Sequence, residues 1–248
     1  MRFTVESDIG RKRTLNEDRA VVLTNAAGLQ LAIVADGMGG HNAGDVASTM
    51  AVEGFASAFN AVQTPFASMD EQRTWLKDTV QAVNEAIYDY SLTHDECRGM
   101  GTTLIAALVE DDAAVLCHVG DSRAYVISKE NIAQITRDHS YVNVLVETGQ
   151  ISEEEAQVHP QKNYILKSLG TEATIEPDYY QVQLLPYSYL LICSDGLSNK
   201  LSAAELHSII VDDSTLTAKG QQLIRRANDY GGEDNISCVL LEARQEEV

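Results

Sequence analysis

Three apolar segments of this sequence run directly into an aspartate. They read LAIVADG, VLCHVGDS and YLLICSDG, and the aspartates are Asp36, Asp121 and Asp195. A single Asp-Gly pair after a strand is usually a turn or a helix cap. A carboxylate at the end of a buried strand costs free energy unless something compensates its charge. Because the pattern recurs, we expect a fold in which several strand ends converge on one charged site.

Further acidic residues extend this pattern. Asp234 in GGEDNIS directly precedes another apolar segment, and Glu17 and Asp18 lie in NEDR. If these side chains converge, like charges repel and raise one another's pKa values unless cations lie among them. Basic residues are few, and of the 18 lysines and arginines Arg13 and Arg123 are the candidates for compensating charge near these positions in the sequence. The pattern therefore predicts bound cations.

The ligand chemistry narrows the kind of cation. Oxygen ligands select Mg²⁺, Mn²⁺ or Ca²⁺, whereas the six histidines show no HxH or HExxH spacing that would suit zinc. Gly37 follows Asp36, and without a Cβ its backbone can turn sharply and offer its carbonyl oxygen as a ligand. Two cations about 3.5–4 Å apart on a bridging carboxylate are a known arrangement for in-line displacement at phosphorus. Asp36 is the candidate for that bridge.

The apolar periodicity predicts an α+β protein. Strands are predicted at 29–35, 102–109, 113–119, 123–128, 132–136, 179–184, 188–194 and 236–242, and helices at 43–60, 71–93, 140–148, 152–157, 202–211 and 216–230. The gaps between 102–109, 113–119 and 123–128 are too short for parallel crossovers, so these strands are predicted to be antiparallel. Strands grouped between helix pairs favour a layered domain over βαβ units.

Composition and charge limit the partners. The 248 residues are 44% hydrophobic and carry a net charge of −19, which is typical of a globular chain without a nucleic-acid surface. No apolar run approaches the ~18 residues of a membrane span, and no apolar secretion signal opens the sequence. The four cysteines form no CxxC pair, as is usual in a reducing compartment. We expect a cytoplasmic protein without nucleic-acid or membrane partners.

Seven motifs of the sequence, in order, resemble one known family. They are SDIGRKRTLNEDR, VADGMGGHNAG, GMGTTLIAA, HVGDSRAY, TRDHSYVNVLVETGQI, CSDGLSNKL and GGEDNIS, and they extend from about residue 3 to residue 242. Together they resemble the metal-dependent serine/threonine protein phosphatases of type 2C, most closely the compact bacterial members that oppose Hanks-type kinases.

This resemblance implies a fold and an activity. The fold would be an α-β-β-α sandwich, with two antiparallel sheets flanked by helices in a single domain over 1–248. The activity would be hydrolysis of phosphoserine and phosphothreonine in protein substrates, opposing a cognate Hanks-type kinase. A monomer is the default expectation for the oligomeric state.

The resemblance also assigns roles to individual residues. Metal ligands are implied at Asp36, Gly37, Asp195, Asp234, Glu17, Asp18 and Asp121. Asp36 would bridge two ions, Mn²⁺ or Mg²⁺, and Asp121 would hold a third, weaker one. Asn235 would support Asp234, and Arg13 would bind the substrate phosphate with its planar guanidinium. A water activated by the two ions would attack phosphorus in line.

Proton transfer to the leaving group has several candidates. His41 is one acid candidate, although the residue after Asp-Gly is methionine here and a histidine in eukaryotic relatives. Local hydrogen bonding at a helix start is the alternative role for His41, and water at the ions is the alternative acid. The resemblance places a flap at about 138–165, in which Ser152 and Glu155 form a capping-box pattern. His139 borders this flap, where substrate contact and packing are both open.

Two rival interpretations have to be weighed. Cys117 and Arg123 show the C-x₅-R spacing of cysteine-dependent phosphatases. However, Val115, Cys117 and Val119 alternate like one face of a strand, and Arg123 leads into another strand where a phosphate loop should lead into a helix. The other rival is a catalytically inactive phosphoprotein-binding module of the same fold. Such a module typically lacks some metal ligands, and here every candidate is present.

Overall fold

The computed structural model describes residues 1–40 and 43–243. The strands are β1 Arg2–Asp8, β2 Asp18–Thr24, β3 Gln30–Met38, β4 Gly101–Thr102, β5 Leu104–Glu110, β6 Ala113–Val119, β7 Arg123–Ile127, β8 Ile132–Gln134, β9 Asp178–Gln183, β10 Tyr189–Cys193 and β11 Ile236–Glu242. The α-helices are α1 Ala43–Asn60, α2 Met69–Thr93, α3 Tyr141–Glu147, α4 Glu153–Val158, α5 Asp195–Ser198, α6 Ala203–Ile210 and α7 Leu216–Asp229.

The strands form two antiparallel sheets that pack face to face. The first sheet has the order β1-β11-β10-β7-β8, and the second has the order β2-β3-β5-β6-β9 with β4 paired to β3. Helices α1 and α2 cover the outer face of the second sheet, and α5, α6 and α7 cover that of the first. The predicted α-β-β-α sandwich is confirmed.

Side-chain alternation along the central strands explains why these layers pack. In β3, Leu31 and Ile33 face the helices, whereas Val34 faces the other sheet. Val239 and Leu241 of β11 belong to the same cluster as Val34, between the sheets. All five side chains are fully excluded from solvent. A strand buried on both faces reads as a continuous apolar run, which is the pattern of LAIVA.

The six predicted helices are present, with bounds within two residues of those expected. Polar residues cap several of them: the hydroxyl of Ser68 accepts a hydrogen bond from the backbone N–H of Glu71, and Ser152 with Glu155 forms the predicted capping box. The short helix α5 lies outside the prediction, since a single turn carries no periodic signal. Among the described residues, no helix combines the length and apolarity that a membrane crossing requires.

Three of the strand predictions are wrong. The pattern predicts no strand before residue 29, yet β1 and β2 are both strands. Each is an edge strand with a single pairing partner, and its side chains are mostly half-exposed, so the apolar signal is weak. The strand predicted at 29–35 continues to Met38, so Asp36 lies within β3. Finally, 113–119 and 123–128 do not pair, because the chain passes from the second sheet to the first at residues 120–122.

Candidate metal centre

The acidic centre begins where β2 and β3 run side by side. Asp18 lies opposite Asp36 in this antiparallel pair. The hydroxyl of Ser194, at the end of β10 in the other sheet, donates to Asp18 Oδ2 at 2.7 Å. Ser194 directly precedes Asp195, the first residue of α5. Residues that are distant in sequence therefore meet at one place between the two sheets.

The electrostatics of the aspartates confirm that they lie close together. Burial, with added repulsion from neighbouring aspartates, raises the pKa of Asp18 to about 7 and that of Asp36 well above 3.8. Burial and the charge of Asp195 raise the pKa of Asp121 to about 8. Burial and the charge of Asp234 raise the pKa of Asp195 to about 6, although Asp195 also accepts a hydrogen bond from Asp36. The five predicted aspartates form one interacting cluster.

Several carboxylate oxygens at this centre have no partner among the described residues. Glu17 Oε1, Asp18 Oδ1 and Asp121 Oδ1 are buried without a hydrogen bond among the described residues. Asp36, Asp195 and Asp234 are partly buried. Unpartnered buried carboxylate oxygens are costly unless a cation or a proton compensates them. In donor chemistry and charge, the set fits hard divalent cations.

The centre is an open arrangement of oxygens and not a closed cage. Within residues 1–40 and 43–243, no group of three or more His, Cys, Asp or Glu side chains is arranged tightly around a single point as an ion site. The assignment of individual ligands therefore stays a prediction.

Gly37 is required by close packing and not by a turn. It lies inside β3, where an added Cβ would stand 2.0 Å from the carbonyl oxygen of Gly44 in α1. A Cβ on Gly44 would in turn stand 2.6 Å from Glu17 Oε1. The backbone N–H of Gly37 donates to the carbonyl oxygen of Glu17 at 3.2 Å. The sharp turn predicted at Gly37 is wrong, but the glycine pair lets β3, α1 and Glu17 meet at the centre.

Two threonines that the sequence analysis did not single out hold Asp36. The backbone N–H of Asp36 donates to Thr103 Oγ1 at 3.0 Å, and its carbonyl oxygen accepts from the Thr103 N–H at 2.8 Å and from Thr102 Oγ1 at 3.0 Å. The hydroxyls of Thr103 and Ser122 share a hydrogen bond of 2.7 Å, which joins the Asp36 strand to the loop that carries Asp121. The sequence feature that could have revealed them is the motif GTT, in which two hydroxyl side chains follow a glycine.

Asn235 holds the loop that leads to Glu17. Its Oδ1 accepts from the backbone N–H of Glu17 at 2.8 Å, and its Nδ2 donates to the carbonyl oxygens of Ile9 and Leu15, both at 2.9 Å. Its own backbone N–H donates to Asp234 Oδ1 at 2.8 Å. The expected support of Asp234 thus comes from the Asn235 backbone, while the side chain organises residues 9–17.

The two arginines near the aspartates in sequence have different partners. Arg13 is half-exposed, and its Nη2 donates to Asp234 Oδ2 at 2.9 Å. Arg123 instead forms a bidentate pair with Asp138, with contacts of 2.7–3.0 Å, although its charge still lowers the pKa of Asp195. Only Arg13 is therefore placed at the centre with an accessible guanidinium. His41, the candidate acid, lies outside the described residues.

The cysteine rival is contradicted by the structure. Cys117 lies in β6 with its side chain fully buried in the apolar cluster under α1 and α2, and burial raises the pKa of its thiol. A nucleophilic cysteine needs an accessible thiolate. Arg123 begins β7 in the other sheet and is engaged by Asp138.

Comparison with known proteins defines the class to which this fold and centre belong. Residues 10–240 match the family described as protein phosphatase 2C. The chain therefore belongs to the protein phosphatase 2C family, and it is a metal-dependent protein serine/threonine phosphatase. Nothing in the comparisons favours the inactive binding module.

Individual relatives agree with this membership. The serine/threonine phosphatase stp of Listeria monocytogenes is 43% identical over 242 residues, which are 98% of this chain and 96% of that protein. The solved serine/threonine phosphatase of S. agalactiae is 40% identical with a TM-score of 0.93, over 98% of this chain and 99% of that one. The catalytic domain of the serine/threonine protein phosphatase PstP, solved with two manganese ions, is 33% identical with a TM-score of 0.84 over 96% of each chain.

Proposed function

We propose that this chain hydrolyses phosphoserine and phosphothreonine in proteins by means of two divalent cations, Mn²⁺ or Mg²⁺, held between Asp36, Asp195 and Asp234. The observation that carries the proposal is the interacting cluster of aspartates, in which burial and mutual repulsion raise the pKa values of Asp18, Asp36 and Asp195. Such a cluster is stable in its charged form only when cations lie within it.

The proposed ligand set draws on both sheets. Asp36 would bridge the two ions, Gly37 would offer its carbonyl oxygen, and Asp195 with Asp234 would bind one of them. Glu17 and Asp18 would complete the oxygen environment, since each has a buried oxygen without a partner in the described part of the chain. When bound, the ions would supply the positive charge that acidifies a water and neutralises the phosphoryl oxygens.

Arg13 would orient the substrate. Its guanidinium donates to Asp234 Oδ2 at the edge of the cluster, and it is exposed enough to reach a phosphate at the same time. A planar guanidinium can donate two parallel hydrogen bonds to phosphate oxygens. Asp234 would therefore align both an ion and the phosphate-binding group, and Asn235 would hold the loop that carries Arg13. His41 or a water would protonate the leaving oxygen.

The proposal also covers the domain, the flap, a third ion, the cellular location and the kinase. We propose a single domain over 1–248 whose flap at about 138–165 borders the centre, and a third, weaker ion at Asp121. We further propose a cytoplasmic monomer whose substrates are phosphorylated by a Hanks-type kinase. The relatives named above are serine/threonine phosphatases, which supports phosphorylated proteins as the substrates.

The direct test is release of phosphate from a phosphothreonine peptide. We expect turnover with Mn²⁺ or Mg²⁺, none in excess chelator, and loss of more than about a hundredfold in the Asp195→Asn and Asp234→Asn variants, because even an outer-shell partner of a metal ligand contributes about 10–100-fold. A protein that binds the phosphopeptide but never releases phosphate, whatever the cation, would be the inactive module. Undiminished turnover in both variants would overturn the proposed ligands.

A further inference from the structure

His139 holds both backbone polar groups of Gly120, the residue before Asp121. The N–H of Gly120 donates to His139 Nδ1 at 3.1 Å, and the carbonyl oxygen of Gly120 accepts from the backbone N–H of His139 at 2.8 Å. Gly120 has a φ of +106°, and an added Cβ would stand 2.6 Å from Thr103 Cγ2. The loop that carries Asp121 is thus held between Thr103 on one side and His139 on the other.

The imidazole of His139 is itself fixed in one state. Burial lowers the pKa of His139, so the ring is neutral near pH 7, and Nδ1 can accept a hydrogen bond only if the proton is on Nε2. Nε2 lies 3.3 Å from Asp178 Oδ2, within ion-pair range although not aligned as a hydrogen bond. The ring also stacks on the fully buried ring of His118, with centroids 4.8 Å apart. Nδ1 and one face of the ring are therefore engaged, and Nε2 is buried beside a carboxylate.

The same residue joins the two ends of the flap. The carbonyl oxygen of His139 accepts from the backbone N–H of Leu166 at 2.7 Å, and the next residue, Ser140, forms an antiparallel bridge with Ile165. On the other side of His139, Asp138 forms the bidentate pair with Arg123. The start and end of the flap thus meet at the residue that holds the Asp121 loop.

We propose that His139 is a positioning residue that, through Gly120, places Asp121 for ion binding and anchors the base of the flap to that loop. The inference rests on the proposed role of Asp121, whose buried Oδ1 has no partner among the described residues. It decides between the two roles left open by the sequence: the His139 side chain is only 9% exposed, its Nδ1 accepts from Gly120 and its Nε2 is buried beside Asp178, so the ring is not placed to contact substrate. It is also more than packing, because its Nδ1 accepts a hydrogen bond from the Gly120 backbone N–H, which an apolar side chain could not do.

Three variants separate the hydrogen bond of the His139 side chain from general effects of replacing a histidine. His139→Ala removes the acceptor for the Gly120 N–H. His139→Asn keeps an oxygen near the position of Nδ1 and should retain that hydrogen bond. His207→Ala is a matched control, since His207 also contacts a backbone carbonyl, that of Ser128, in the layer of α6 away from the centre.

The primary measurement is Mn²⁺ binding by isothermal titration calorimetry, with phosphopeptide turnover as a function of Mn²⁺ as the second readout. We expect His139→Ala to weaken the weakest Mn²⁺ site about tenfold, as for the loss of one hydrogen bond from a buried partner. Saturating Mn²⁺ should restore its kcat, which it would not do for a misfolded protein. His139→Asn should recover most of the affinity, and His207→Ala should bind Mn²⁺ as the wild type does.

A double-mutant cycle with Asp121→Asn gives the decisive comparison. If His139 acts through Asp121, His139→Ala has no further effect on Mn²⁺ binding once Asp121 is replaced. An equal loss in both backgrounds, or wild-type binding by His139→Ala, overturns the inference while leaving the proposed phosphatase centre intact. If Asp121→Asn alone binds every Mn²⁺ ion normally, the proposed ligand role of Asp121 fails, and the role of His139 fails with it.

Discussion

The layer between the sheets and the acidic centre at its end differ in how they are stabilised. Between the sheets, Val34, Leu190 and Val239 are fully buried among apolar neighbours and need no partner beyond them. Two residues beyond Val34 in β3, Asp36 lies among like charges together with Asp18 of the neighbouring β2, and burial raises the pKa values of both. The apolar layers therefore hold the fold together, while the acidic centre lowers the stability locally, and bound cations would offset that loss.

The largest expected effect comes from the residue at the junction of these two regions. Asp36→Asn removes the charge of the proposed bridge but keeps the shape of the side chain. We expect phosphopeptide turnover to fall by more than about a hundredfold, since the loss of a direct ligand should exceed the 10–100-fold cost of losing an outer-shell partner. Turnover is measured at saturating Mn²⁺.

Thermal unfolding of the same variant is its control. In chelator, Asp36→Asn should unfold at a temperature no lower than that of the wild type, because it removes a carboxylate whose charged form is destabilised by burial. In Mn²⁺, it should lack the stabilisation that the wild type gains. A large loss of stability in chelator would mean that Asp36 supports the fold itself, and the contrast between the two regions would then break down.

The next effect concerns the apolar layer. Leu190→Ala empties a fully buried position between the sheets. We expect it to lower the free energy of unfolding by about 2–5 kcal/mol. Because Leu190 belongs to the layer and not to the centre, the loss should be the same in chelator and in Mn²⁺, as measured by urea denaturation. A loss that Mn²⁺ abolishes would show that the two regions are not independent.

A smaller effect is expected from pH in the metal-free protein. The folded-state pKa values of Asp18, Asp121 and Asp195 are about 7, 8 and 6, all above the unfolded value of 3.8. The folded protein therefore binds more protons than the unfolded protein between about pH 4 and pH 8, so stability should fall as pH rises through this window. Bound Mn²⁺ should flatten this decline, since the carboxylates are then charged and compensated.

Thermal unfolding in chelator across pH 5 to 8 measures this slope. Asp18→Asn should make the decline shallower, because the variant keeps a neutral group at every pH. A metal-free stability that rises steadily with pH would contradict the raised pKa values and, with them, the description of the centre as a cluster short of positive charge.

The smallest effect on turnover is expected from replacing Cys117, the nucleophile of the rival cysteine mechanism. Cys117→Ser should leave turnover at saturating Mn²⁺ close to the wild-type value, because Cys117 is buried under α1 and α2 on the outer face of the second sheet. A modest loss of stability is expected, since a hydroxyl in an apolar cluster costs about 1–3 kcal/mol. Loss of turnover without loss of stability would revive the cysteine mechanism.

The same contrast explains how much of the fold was predictable. Strands such as β3, β5 and β10 are recognisable in the sequence as continuous apolar runs, because they are buried on both faces. The edge strands β1 and β2 do not, since half of their surface faces solvent. The crossing at residues 120–122 was also hidden, because a three-residue gap is equally compatible with a hairpin, and only the packing of two sheets decides between them.

Within the site, the charged residues were more predictable than their supports. An aspartate after an apolar run is unusual enough to be noticed, so Asp36, Asp121 and Asp195 stood out. Thr103 and Ser194 did not, because threonine and serine are common in strands and at their ends. Their role appears only where Thr103 holds both backbone groups of Asp36 and Ser194 reaches Asp18 across the sheets.

Anomalous diffraction from a crystal grown with Mn²⁺ tests the central claim most directly. Our account predicts two strong manganese peaks that share Asp36 as a ligand, one of them also bound by Asp195 and Asp234. Manganese peaks away from these three side chains, or aspartates directed to separate places with no ion between them, would contradict it.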